Sequence, residues 1–275
     1  MTSARSPLTI AILVVVLATS ACNKSVQAES RTGTFFAVFG GANLTPQRLS
    51  PHIAYNLEPS KERYLVHVPA SYSGADPYGL VVFIDASDEI SSLPAGWEIG
   101  LDSKKYIFLA AQNSGNDQLR RRRLGLAVLG ASEIVRRYRV DPQRVLVAGF
   151  SGGARMAGML GFYQSDLFRG TIQNCGADFY RSVPIVQATS QVDTAGKPYG
   201  VLEVSQGDVA AAKQVRFALV TGSGDFRRGN ILDIFHGGFE SDGFQAKLFD
   251  VPGMGHDTCD AETLMRVLNF LEGHS

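Results

Sequence analysis

The chain of 275 residues is poor in cysteine, in net charge and in long apolar runs. Its 3 cysteines are too few for a disulfide-dense small domain or a four-thiolate zinc site. Its 26 basic residues balance 26 acidic ones, so it lacks the positive charge with which proteins bind nucleic acid. With 45% hydrophobic residues, it has the composition of a globular protein.

The longest apolar run covers residues 8–18, about half of the ~20 residues needed to span a membrane. One arginine precedes the run and small residues follow it, which is the layout of a secretory signal peptide. We predict a signal peptide over residues 1–21, a tether over residues 22–33 and a single domain over residues 34–275. A membrane anchor that is never cleaved is the alternative.

The end of this segment, Thr19-Ser20-Ala21-Cys22, resembles the cleavage box of bacterial lipoproteins, with Thr19 in the place of the usual leucine. The resemblance implies lipidation of Cys22, and an exported protein that contacts a membrane only through its lipid. Ordinary cleavage after Ala21 or Ala28 would instead produce a secreted protein.

Short apolar runs alternate with helical patterns through the rest of the chain, which predicts an α/β fold with a mostly parallel central sheet and helices on both faces. Residues 35–39 and 63–68 are expected to form antiparallel edge strands. The other predicted strands are 80–84, 106–111, 145–148, 171–175, 216–221 and 244–251, and the main predicted helices are 119–138, 154–162 and 261–271.

Gly149-Phe150-Ser151-Gly152-Gly153 matches the pattern G-x-S-x-G. The pattern alone is common, but here a predicted strand precedes it and a helical pattern follows it. That strand–turn–helix context is typical of a nucleophile elbow, in which a serine projects from a tight turn. Ser151 is therefore the candidate nucleophile. A glycine-rich turn without chemistry is the alternative.

A serine nucleophile needs a base, and the base needs an acid that orients it. His256 is the candidate base, because it lies in the glycine-rich loop between the last strand and the last helix. Asp225 is the preferred acid, since it follows strand 216–221 at the same edge of the sheet. Asp178 and Asp250 remain open as alternatives.

Two backbone N–H groups are expected to form an oxyanion hole. One belongs to Gly152, directly after the nucleophile. The second comes from the loop after strand 80–84, from Ala86 or its neighbour Ser87.

Cys175 and Cys259 are also predicted to lie at this edge of the sheet. In an oxidising compartment they could form a disulfide that holds the histidine loop. Two buried free thiols are the alternative.

The sequence resembles the α/β-hydrolase superfamily, and within it secreted esterases of the polyhydroxybutyrate-depolymerase-like group. The resemblance rests on six segments that occur in this order along the chain: YLVHVP, LVVFID, AAQNSGN, RVLVAGFSGGARMA, ALVTGSGDF and PGMGH. The resemblance covers the chain from about Tyr64 to the C-terminus. It implies a triad of Ser151, His256 and Asp225, with no metal and no cofactor. This sequence has Asp85-Ala86-Ser87 where many such enzymes have His-Gly.

These features together predict an exported serine carboxylester hydrolase that works through an acyl-enzyme. A peptidase or acyltransferase with the same triad is one alternative, and a lipid-anchored binding protein without turnover is another.

Overall fold

The structure is a computed structural model that describes residues 29–40, 50–54, 56–184, 186–188 and 201–274. Its described residues form an 8-stranded sheet with the order β1-β2-β4-β3-β5-β6-β7-β8. The strands are β1 Gly33–Val38, β2 Arg63–Val68, β3 Tyr78–Ile84, β4 Tyr106–Ala111, β5 Val140–Phe150, β6 Gly170–Asn174, β7 Arg216–Gly222 and β8 Gln245–Val251. The predicted signal peptide and Cys22 lie outside the described residues.

The sheet is mostly parallel, as predicted. Strand β2 runs antiparallel to both β1 and β4. The neighbouring pairs from β4 through β8 are all parallel. Strands β3 and β4 are buried over their whole length, because they are apolar on both faces and lie between two layers of helices.

Helices cover both faces of the sheet. One apolar cluster packs against helices that include Leu124 and Met159, and the other packs against helices that include Trp97 and Leu264. The helices are α1 Trp97–Ser103, α2 Arg120–Arg137, α3 Gly152–Tyr163, α4 Gln206–Ala212, α5 Arg228–Ile234 and α6 Ala261–Leu271, and a π-helical segment, Phe235–Glu240, continues α5.

Contacts of the domain begin within the segment predicted to be a tether. The backbone N–H of Glu29 donates to the carbonyl of Arg137 at 2.7 Å, and β1 starts at Gly33. Among the described residues, no helix is both long and apolar enough to cross a membrane.

Candidate active site

Ser151 occupies a strained turn between β5, which ends at Phe150, and α3, which begins at Gly152. Its φ of 53° and ψ of −115° lie outside the regions that residues with a Cβ prefer. The backbone N–H of Ser151 donates to the carbonyl of Asn174 at 2.9 Å, which ties the turn to the end of β6. The turn therefore has the geometry of the predicted nucleophile elbow.

The flanking glycines make this turn sterically feasible. A Cβ on Gly149 would lie 2.3 Å from the carbonyl carbon of Gly153, and a Cβ on Gly153 would lie 1.8 Å from the carbonyl oxygen of Ile84. Any larger residue at either position would force the strand and helix apart.

The structure brings Ser151, His256 and Asp225 together in one chain of hydrogen bonds. His256 Nε2 lies 3.0 Å from Ser151 Oγ, and His256 Nδ1 lies 2.7 Å from Asp225 Oδ1. Since the carboxylate can only accept, Nδ1 carries the proton and Nε2 is left to accept the serine hydroxyl proton.

The carboxylate of Asp225 is held from both sides. Its side chain is fully buried. Thr221 Oγ1 donates to Oδ2 at 2.7 Å, and the backbone N–H of Arg227 donates to Oδ1 at 2.9 Å. This support fixes the direction in which the acid faces His256.

The other candidate acids have cationic partners elsewhere. Asp178 accepts from Arg155 Nε at 2.9 and 3.0 Å. Asp250 lies in β8 and pairs with Arg228 at 2.6 Å. Neither interaction involves His256, so the geometry favours Asp225 as the orienting acid.

The two predicted oxyanion donors differ in how directly the fold defines them. The N–H of Gly152 is in the first turn of α3, where backbone N–H groups have no partner within the helix and attract negative charge. In the loop after β3, the N–H of Ser87 donates to Asp85 Oδ1 at 2.8 Å. Because that donor is engaged, Ala86 is the better candidate for the second position.

Of the two alternatives for Cys175 and Cys259, the structure has the free thiols: both cysteines are buried and unbonded. The Cys175 thiol instead donates to the carbonyls of Asp257, at 3.2 Å, and Gly255, at 3.6 Å. It therefore holds the loop on both sides of His256 without a covalent bond. Burial raises the pKa of Cys259 to about 12 and also raises that of Cys175.

We expect both thiols to resist iodoacetamide in the folded protein and to react after unfolding, because the thiolate is the reactive form and burial disfavours it. Intact-mass measurement of the domain from residue 29 onward checks this. Two alkylations that require denaturant but no reductant are expected. If alkylation in denaturant requires prior reduction, the cysteines are bonded.

A cavity of about 560 Å³ opens beside the triad. Phe150 and Asp257, the sequence neighbours of Ser151 and His256, belong to its wall. Its lining includes apolar side chains such as Ile90 and Leu93, and none of the described residues that line it is Lys or Arg. The acidic residues of the lining are Asp85, Glu89, Asp257 and Asp260.

Two side chains near the site were not predicted from the sequence. Phe226 is 72% exposed, and its ring centroid lies 4.2 Å from that of His256. Arg123 is buried behind the loops that flank the elbow. Trp97 does not face the site: it is a buried core residue, and its indole N–H donates to the carbonyl of Cys259 at 2.8 Å.

Among the residues that the structure describes, two groups of side chains place metal-ligating atoms within 4.8 Å of one another. One is Asp225, His256 and Cys175. The other is His67, Glu98 and Asp102, in which His67 Nε2 already lies 2.7 Å from Asp102 Oδ1. We assign no metal to either group, because hydrogen bonds account for the histidine nitrogens.

Comparison with known proteins finds no matching family model and no match among curated proteins. Solved structures do match. The esterase Est22 is 15% identical, with 88% of this chain and 81% of that chain covered and a TM-score of 0.58. LpqC, a poly(3-hydroxybutyrate) depolymerase from Bordetella parapertussis, is 16% identical, with 78% and 84% covered and a TM-score of 0.52.

Dipeptidyl peptidase 4 from Porphyromonas gingivalis is 15% identical over 78% of this chain, with a TM-score of 0.54. This chain spans about a third of the length of the dipeptidyl peptidases that it matches, 34% in each case. These likenesses and the sheet topology show that the chain has the α/β-hydrolase fold.

Proposed function

We propose that this protein is a serine hydrolase that cleaves carboxylic esters through an acyl-enzyme. The observation that carries the proposal is the hydrogen-bonded chain from Ser151 through His256 to Asp225, with distances of 3.0 and 2.7 Å. A strained serine, an aligned base and a buried acid together form the constellation that nucleophilic catalysis requires. Esterases with the same fold add support.

The first half of the reaction forms the acyl-enzyme. Ser151 Oγ attacks the ester carbonyl carbon while His256 Nε2 takes the hydroxyl proton. The N–H groups of Gly152 and Ala86 stabilise the oxyanion, and Asp225 stabilises the imidazolium. His256 then gives its proton to the departing alkoxide.

In the second half, His256 takes a proton from water as the water oxygen attacks the acyl carbon. The tetrahedral intermediate collapses, the acid leaves, and the proton returns to Ser151 Oγ. The serine, histidine and both N–H donors repeat the roles that they have in acylation.

A panel of p-nitrophenyl acetate, butyrate and octanoate, with the matching p-nitroanilides and an alcohol acceptor, tests the proposal. We expect ester hydrolysis with a chain-length preference and little amide cleavage. Faster turnover of the anilides would identify a peptidase, and transfer to the alcohol in preference to water would identify an acyltransferase. Folded protein inert toward every substrate would favour a binding protein.

We further propose that the acidic cavity receives part of the substrate, which makes the site selective for charge. An ester carrying a carboxylate on the acyl or the alcohol side is expected to have about tenfold lower kcat/KM than its neutral carboxamide. Tenfold corresponds to about 1.4 kcal/mol, which is the scale of repulsion from two or three partly exposed carboxylates. The difference should shrink as salt is added.

Glu89→Gln and Asp257→Asn are expected to narrow the difference in kcat/KM between the anionic ester and its neutral carboxamide, because each removes one carboxylate from the cavity lining. Glu58→Gln is the matched control for altered net charge, since it also removes one carboxylate and Glu58 is exposed, pairs with Lys61 and does not line the cavity. Equal kcat/KM of the wild-type protein for anionic and neutral esters, with the carboxylate on either the acyl or the alcohol side, would show that the substrate does not occupy the cavity.

Export remains a proposal that rests on the sequence of residues 1–22. Metabolic labelling of the full chain in a bacterial host with a lipid precursor tests it, with Cys22→Ala as the control. We expect label in the native sequence only. Equal labelling of both chains would contradict lipidation at Cys22.

A further inference from the structure

Arg123 lies in the first turn of α2 and is only 4% exposed. The sequence places it in a run of four arginines, Arg120 to Arg123. This run is expected to be a solvated helix start paired with acidic residues, and contact with an anionic group is the alternative. Arg122 fits that expectation, since it is partly exposed and makes a two-pronged ion pair with Glu62 at 2.9 and 2.7 Å. Arg123 does not fit it, because its side chain is buried.

The buried guanidinium of Arg123 donates to three acceptors in two loops. Nε donates to the carbonyl of Ser114 at 2.7 Å. Nη1 donates to Asn116 Oδ1 at 3.2 Å, and Nη2 donates to the carbonyl of Asp85 at 2.8 Å. Hydrogen bonds from a charged donor are stronger than neutral ones, so this contact set fixes the loops firmly.

The contact with Asp85 matters because of the geometry of the peptide bond. The carbonyl of Asp85 and the N–H of Ala86 belong to the same peptide unit. That unit is planar and trans, so the two groups point in opposite directions. Holding the carbonyl oxygen therefore sets the direction in which the Ala86 N–H points.

Asn116 links the same arginine to the other oxyanion donor. Its backbone N–H donates to the carbonyl of Ala86 at 2.8 Å. Its side chain packs over Gly152, where an added Cβ would lie 2.0 Å from Asn116 Oδ1. The guanidinium thus connects the Ala86 loop with the start of α3.

Arg123 remains charged at neutral pH. Burial lowers the pKa of Arg123 to about 10, and the negative charges of Asp85 and Asp88 oppose that shift. A buried cation with three acceptors has few alternative arrangements, because each lost contact leaves a polar group unsatisfied.

We propose that Arg123 is a positioning residue that orients the Ala86 N–H for the oxyanion of the transition state. This inference rests on the proposed function. A donor that is already aligned stabilises the developing charge without reorganisation, whereas a tilted donor loses much of that effect. Arg123 acts through the peptide unit and does not touch the substrate.

The test compares Arg123→Met and Arg123→Lys with the matched control Arg122→Gln. Arg122 lies next to Arg123 on α2, and its substitution removes the ion pair with Glu62. For each variant, kcat and KM for p-nitrophenyl acetate are measured beside the inhibition constant of a trifluoromethyl ketone, which forms a tetrahedral adduct with the serine. Thermal unfolding monitors stability separately.

For Arg123→Met we expect kcat to fall about tenfold to a hundredfold, which is less than the loss of a whole oxyanion donor. KM should change little, and the inhibition constant of the ketone should rise by the same factor as kcat falls. Arg123→Lys should fall between Met and wild type, since one ammonium cannot reach all three acceptors. Arg122→Gln should keep kcat within about twofold, since the hydrogen bonds of Arg122 go to the Glu62 carboxylate and not to the loops that Arg123 holds.

Retention of kcat and ketone affinity in a folded Arg123→Met variant would overturn the inference. An equal loss in Arg122→Gln would also overturn it, because the effect would then be one of stability. If Arg123→Met does not fold, wild-type kcat and ketone affinity in Arg123→Lys would overturn it. Failure of the proposed function is a different result, in which the wild-type protein itself hydrolyses no ester and does not react with the ketone.

Discussion

Ser151→Ala is expected to lower kcat for ester hydrolysis by about 10⁵-fold to 10⁶-fold, the scale seen when a triad nucleophile is removed. The substitution removes Ser151 Oγ, the atom that bonds to the acyl carbon in the acyl-enzyme. It keeps a Cβ at the strained φ of 53°, so the turn itself should be unchanged. Initial rates with p-nitrophenyl acetate, together with thermal unfolding, measure both quantities.

Ser91→Ala is the matched control, because Ser91 is an exposed serine of the cavity lining. It should leave kcat within a few fold of the wild type. Equal activity of wild type and Ser151→Ala would mean that hydrolysis uses another group, and it would remove the basis of the proposed mechanism.

Asp225→Asn is expected to lower kcat by about 10⁴-fold, as loss of the triad acid does in serine proteases. The substitution removes the negative charge that faces His256 Nδ1 at 2.7 Å and stabilises the imidazolium. Thr221 and the N–H of Arg227 still surround the side chain, so the effect should be on charge more than on packing. KM should change much less than kcat.

Asp178→Asn tests the same chemistry at the competing acid. Asp178 is also buried, but its carboxylate faces Arg155, so we expect a loss of thermal stability with kcat within a few fold of the wild type. If Asp178→Asn lowered kcat as strongly as Asp225→Asn, the assignment of the orienting acid would be wrong.

The placement of Ser151, His256 and Asp225 beside one another could be predicted from the sequence, because it depends on local patterns and on strand order. The glycines around Ser151 specify a tight turn, and a strand precedes it in the sequence. His256 and Asp225 each follow a strand, and the ends of neighbouring parallel strands meet at one edge of the sheet. Chain order and strand polarity therefore suffice to bring the three side chains near each other.

The role of Arg123 was not predictable in that way. Its burial depends on the loops 85–88 and 113–116, which close over the start of α2 through contacts that are distant in sequence. The sequence around Arg123 shows only adjacent arginines at the start of a helix, where the helix dipole disfavours positive charge. The buried carbonyl acceptors that compensate the charge become visible only in the folded chain.

The cysteines show a similar limit. Strand order correctly placed Cys175 and Cys259 at the same edge, but proximity of two segments does not decide where each thiol points. Cys175 has a φ of 56°, and its thiol is directed at the carbonyls of the histidine loop. Helix α1 was missed for another reason, since its 7 residues are too few to show a clear period.

The most direct test of the central claim is covalent labelling with a fluorophosphonate, followed by mass spectrometry of the digested protein. We predict one adduct on Ser151, formed at a rate that falls strongly in Asp225→Asn and vanishes in Ser151→Ala. Absence of any adduct on the folded wild-type protein, or an adduct on a different serine, would contradict the assignment of Ser151 as an activated nucleophile.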